Sequence, residues 1–212
     1  LNTENLEALK AGMPNLLRHV ENIQSVFGLP CVVAINRFPT DTEAELDLIA
    51  SECEKVGVNV RLSEVWAKGG EGALELADEV MRLIEESHEF KCAYEDGTNV
   101  ADALEAIATK VYHADGVDFA PAAKRQLAEL RANGFGNLPV CVAKTQYSFS
   151  DNAKALGAPE NFRITVRELK VSAGAHFVVA LTGSVLTMPG LPKVPAAENI
   201  DVDNDGNITG LF

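Results

Sequence analysis

Apolar residues recur at three- and four-residue steps through the start of the chain, at Leu6, Leu9, Leu16, Leu17, Val20, Ile23 and Phe27. That is the period of a helix buried on one face. The run Gly12-Met13-Pro14 interrupts it, so the pattern predicts two helices with a break. PCVVAIN (30–36) is a continuous apolar run, the mark of a buried strand, and RFPTDT after it reads as a loop. A helix follows from Thr42 to about Val56, with Glu43 and Glu45 in its first turn, where the helix dipole favours negative charge. The order then repeats: VNVRLSE (58–64) as strand, VWAKGGEG (65–72) as loop, ALELADEVMRLIEES (73–87) as helix with apolar positions 74, 77, 80, 81 and 84. Strands alternating with helices imply crossover connections and a parallel sheet, whose ligands bind beyond the carboxyl ends of the strands.

From about residue 90 the pattern changes. YEDGTN is turn-rich, TNVADALEAIATKVYH and FAPAAKRQLAELRANG read as helices, and Gly134 closes the second. LPVCVAKT (138–145) reads as a strand, and residues 162–183 as two strands around Ser172-Ala173-Gly174. The expected organisation is an α/β segment over residues 1–90, then an α+β domain over 91–212 with antiparallel strands, closed by a C-terminal β-hairpin. That hairpin is one of two readings of the closing DVDNDGNITGLF. Asp201, Asp203, Asp205 and Gly206 match the opening of a calcium loop, but position 12 is Phe212, and the prolines between Pro189 and Pro195 bar an entering helix. Asp-Gly between short apolar runs favours two strands joined at Asn204–Asn207 and no calcium.

Composition narrows the function. A net charge of −13 over 212 residues opposes extended contact with nucleic acid, whose binding draws on clustered Lys and Arg. No apolar run has the length of a membrane-spanning helix, and no basic-then-apolar leader is present. The four cysteines, at 31, 53, 92 and 141, lack metal spacing and read as reduced core residues of a cytoplasmic protein. The histidines at 19, 88, 113 and 176 share no metal spacing either. Leu1 opens directly on a helical pattern, which points to a piece of a longer chain.

The chemistry concentrates in the two loops that leave the first two strands. In NRFPTDT, Asn36 and Arg37 are donors suited to polar edges or phosphate oxygens, and Phe38 against Pro39 is a rigid flat face. The plainer alternative packs Phe38 on a helix and uses Thr40, Asp41 or Thr42 as a cap. The second loop holds the chain's one tryptophan, Trp66, and then Gly69, Gly70, Glu71 and Gly72, where backbone can approach a ligand. Phe38 and Trp66 are therefore either two walls of a slot for a flat heterocycle or two ordinary core aromatics. No GxxxxGK[ST] motif occurs, so any nucleotide phosphates are held by residues outside this chain.

The runs VVAINRFPTDTEAE, VWAKGGEGALELA, KVYHADGVDFAPAAKRQL, LPVCVAKTQYSFSDN, FRITVRELKVSAGAHFVVALTGSVLTMPGLP and IDVDNDGNITGLF resemble the C-terminal portion of the formate-tetrahydrofolate ligases. The resemblance spans essentially the whole chain. It implies a parallel-sheet segment of a P-loop-type nucleotide-binding domain, with the phosphate loop in an N-terminal portion of the same polypeptide. It implies ligation of formate to tetrahydrofolate with ATP and Mg2+, through formyl phosphate, in a homotetramer responsive to monovalent cations. On this sequence it places the folate ring between Phe38 with Pro39 and Trp66, near Leu62, and the nucleotide near Asn36 and Arg37. Gly69, Gly70 and Glu71 are the accompanying candidates for the ATP side. Without the phosphate loop the 212 residues are expected to be inactive alone. The competing expectation is a structural and oligomerisation module with no ligand site of its own.

Overall fold

A computed structural model describes residues 3–185, 193–206 and 208–210. Leu1, Pro189, Pro192, Asn207 and Phe212, used in the sequence reading, lie outside the described residues. Helix α1 (Leu6–Glu21) starts where the Asn5 side chain accepts the Ala8 N–H at 2.9 Å. It does not break at Gly12-Met13-Pro14. Pro14 lies inside the helix, which loses one backbone hydrogen bond there, while Met13 and Val20 stay buried and anchor the segments on either side of it. The helix widens into a π turn at Asn22–Val26.

Strand β1 (Val33–Asn36), helix α2 (Glu43–Glu54) and strand β2 (Val60–Ser63) form the expected βαβ unit, with β1 and β2 parallel and Asn36 level with Ser63. Thr42 and Glu45 make a reciprocal capping box that fixes the start of α2. The segment expected as a loop after β2 is mostly helical: α3 (Val65–Lys68), then a 3-10 turn (Gly69–Ala73) running into α4 (Leu74–Ile84). The apolar face expected to pack inward on α4 faces out, with Leu74, Val80, Met81 and Ile84 exposed and Glu79 buried instead.

In the second half, α5 (Val100–Ala106) is capped by Asn99 and runs into a π turn at Ile107–Val111. Strand β3 (Val117–Phe119), helix α6 (Pro121–Ala132), β4 (Val140–Ala143), β5 (Ile164–Ser172) and β6 (Phe177–Thr182) follow. The sheet order is β3-β5-β6-β4. Only its central pair is antiparallel, and β3 and β4 lie parallel to β5 and β6, so the sheet is mixed rather than antiparallel throughout. The β5–β6 turn closes through His176, whose φ of +57° puts the left-handed residue two positions after Gly174. Val100, Leu104, Val117, Ile164, Val166 and Val178 lead the principal core, drawn wholly from this half.

The terminal hairpin forms, with β7 (Asp201–Val202) antiparallel to β8 (Ile208–Thr209), as a separate two-stranded sheet rather than a closing element of the larger one. All four cysteines are free, and Cys53 alone is buried. Cys92 and Cys141 are exposed, contrary to the core reading: Cys92 lies in the irregular segment after α4, and Cys141 takes an outward position on the edge strand β4. Among the described residues no helix is long and apolar enough to cross a membrane.

Candidate functional site at the carboxyl edge of the βαβ unit

The register of β1 and β2 brings both loops to one edge. The ladder extends one step past the strands, where Arg37 N–H donates to the Ser63 carbonyl at 3.0 Å. Beyond it Phe38 and Asp41 form a tight turn: Asp41 Oδ2 accepts the Phe38 N–H at 2.8 Å and the Phe38 carbonyl accepts the Asp41 N–H at 3.1 Å. Arg37 is engaged within the chain, its Nη2 donating to Glu43 Oε1 at 2.5 Å. Asn36, at the end of β1, is exposed, and Leu62 of β2 is half-buried.

The second loop is tied to the first through its aromatic residue. Trp66 Nε1–H donates to the Arg37 carbonyl at 2.8 Å. Phe38 is 56% exposed and Trp66 58%, so neither is a core aromatic. The cap half of the plainer reading also holds, since Thr42 caps α2. A hydrogen bond with Lys68 at 2.5 Å lowers the pKa of the Glu64 carboxyl. The 3-10 turn carrying Gly69, Gly70 and Glu71 is exposed, and Gly69 adopts φ +62°. Gly72 is the packed glycine: a Cβ there would lie 2.6 Å from the Glu64 carbonyl carbon and oxygen.

The structure thus gathers Asn36, Arg37, Phe38 and Trp66 at one edge, with Gly69–Glu71 on the continuation of the Trp66 segment. The sequence reading weighed Asp41 only as a helix cap and did not single out Gly72 or Glu64 as supports. The RFPTDT run read as a loop, but nothing local marked the Phe38–Asp41 turn within it or which glycine meets backbone. Among the described residues no three His, Cys, Asp or Glu side chains group as a metal site.

Fold and strand-edge loops define a mixed α/β protein whose parallel elements carry its two most chemically varied loops side by side. The family model for formate-tetrahydrofolate ligase matches residues 1–212, and the chain belongs to that family. The family's reaction is the ATP-dependent ligation of formate to tetrahydrofolate.

Proposed function

We propose that this chain supplies the folate-ring slot of a formate-tetrahydrofolate ligase, with Phe38 and Pro39 as one wall, Trp66 as the other and Leu62 at the base. The observation that carries the reading is the hydrogen bond from the Trp66 indole to the Arg37 carbonyl, next to Phe38, with both aromatic rings open to solvent. It fixes one wall relative to the other loop, so less freedom is lost when a ring enters. Covering roughly 100 Å2 of ring surface at about 25 cal/mol per Å2 would contribute about 2.5 kcal/mol. Asn36, Arg37, Gly69, Gly70 and Glu71 are assigned to the nucleotide side of the same edge. The slot acts by orienting the pterin amine toward a formyl phosphate made elsewhere, a proximity effect.

Phosphate cradling, and the Mg2+ that accompanies ATP, belong in this reading to an N-terminal portion outside these 212 residues, because no phosphate-loop motif occurs within them. The 212 residues alone are then catalytically silent, and ATP- and formate-dependent formylation by them would overturn that part. The assembled enzyme is assigned to the cytoplasm as a homo-oligomer.

Because Trp66 is the one tryptophan, titrating a stable folate analogue reads the slot directly. Saturable quenching is expected, weakened about tenfold in Phe38→Ala, equivalent to about 1.4 kcal/mol. Absence of any quenching favours the second reading, an oligomerisation module. That reading draws on the exposed Leu74, Met81 and Ile84 of α4.

A further inference from the structure

A cavity of about 220 Å3 lies away from the aromatic loops, where the carboxyl end of β4 meets α1 and the residue that closes the π turn after α5. Asn15 and His19 of α1, Tyr112, Val142, Lys144 and Gln146 line it. Strand β4 runs parallel to β6, so the cavity sits at the kind of strand end where α/β sheets present ligands.

Lys144 gives the cavity its character. Its half-buried Nζ donates to the carbonyls of Thr145 and Ser150, each at 3.0 Å, and to that of Ser148, and it stands 4.9 Å over the Tyr112 ring. These carbonyls replace water around the ammonium and wrap residues 144–150 about it. None is a carboxylate, and among the described residues none lies within ion-pair distance of Lys144. A half-buried cation with no contacting carboxylate, offset only at longer range by Asp151, is therefore held at the cavity of a chain whose net charge is −13. Burial pushes the Lys144 pKa down and outweighs the opposing pull of the Asp151 carboxylate.

The donors around it are free. The side chains of Asn15, His19, Tyr112 and Gln146 make no hydrogen bond to any described residue, although all four line the same space. Asn15 and Tyr112 are half-buried, and His19 and Gln146 stand toward the rim. The backbone is irregular on both sides as well. One π turn ends at Tyr112, another begins a turn beyond His19, and Asn22 Nδ2 ties them by donating to the Val111 carbonyl at 2.8 Å. Such widened turns recur at functional sites.

We infer that this cavity binds a small oxyanion, a carboxylate or phosphate group, held by the amides of Asn15 and Gln146 and the hydroxyl of Tyr112, with Lys144 supplying the opposite charge. The inference is independent of the aromatic slot, whose residues it does not share. Titration of the 212-residue chain with inorganic phosphate and, separately, with acetate tests it, both at constant ionic strength and following the His19 ring resonances. A saturable shift with one of the two is expected, and which one responds distinguishes a phosphate-bearing from a carboxylate-bearing ligand. The paired substitution Asn15→Ala and Gln146→Ala, which removes no side-chain hydrogen bond among the described residues, is expected to weaken binding about tenfold, as loss of two modest hydrogen bonds implies, with the thermal midpoint unchanged. No saturation with either anion by about 50 mM, a concentration that detects even millimolar affinity, overturns the inference. Undiminished binding in the paired variant overturns it too.

Discussion

Glu79 is 4% exposed and accepts hydrogen bonds from Asn59 at 2.7 Å, Arg61 at 3.1 Å and Arg82 at 2.6 Å. Bonding to Arg82 first, and then to Asn59, pushes its pKa down to about 2 from 4.5. The folded value is depressed, so the stabilisation is complete above the unfolded pKa near 4.5 and is lost as pH falls toward about 2. Glu79→Gln is expected to lower the urea midpoint at neutral pH and to flatten its dependence on pH across that window. Identical pH slopes in the two proteins would show that the carboxylate contributes nothing to folding. Arg82 is an i, i+3 neighbour of Glu79 on one helix, but Asn59 and Arg61 lie about twenty residues earlier and meet it only through the fold. An apolar count along α4 therefore assigned the buried side to Leu74, Val80, Met81 and Ile84, which the structure turns outward.

At the scale of elements, the segment Glu64–Gly72 positions Trp66, and one backbone closure holds it: Glu64 N–H donates to the Gly72 carbonyl at 2.9 Å. Gly72 has to lie against Glu64 for that bond to form, and a Cβ would sit 2.9 Å from the Val65 nitrogen, at the start of α3. Gly72→Ala is expected to cost about 1–3 kcal/mol, because backbone rather than a flexible side chain must move. It is also expected to weaken folate-analogue quenching of Trp66. Gly70→Ala is the control, since nothing lies within 4 Å of its added carbon and the binding curve should be unchanged. Equal effects from both substitutions would mean that the closure does not govern the indole. The sequence reading grouped Gly69, Gly70 and Gly72 together, because composition reports flexibility but not which carbon meets a neighbour. It placed the βαβ unit to within a few residues, since there local hydrophobic period and tertiary burial agree. It missed β3, whose three residues are too short for a period to register, and hence the parallel arrangement that β3 gives the larger sheet.

Across the whole molecule, stability is divided unevenly. The principal core joins α5, α6 and the four-stranded sheet. Among the described residues, strands β1 and β2 pair only with each other and contain no fully buried residue, while α4 leaves Leu74, Val80, Met81 and Ile84 in solvent. Local opening draws on regions with few buried apolar contacts, so amides of β1 and β2 should exchange at least about tenfold faster than those of β5 and β6. The ligand edge is then in the less stable part, and a ligand that binds only the folded form raises stability by mass action. A saturating folate analogue should accordingly slow exchange at Ile35, Asn36, Leu62 and Ser63 while leaving Val166, Leu169 and Val178 unchanged. Uniform protection in the free chain would show one cooperative unit instead, and slowing confined to the second half would place the ligand away from the aromatic edge. Because the exchange map reads the backbone rather than the tryptophan, it tests the location of binding independently of any fluorescence change.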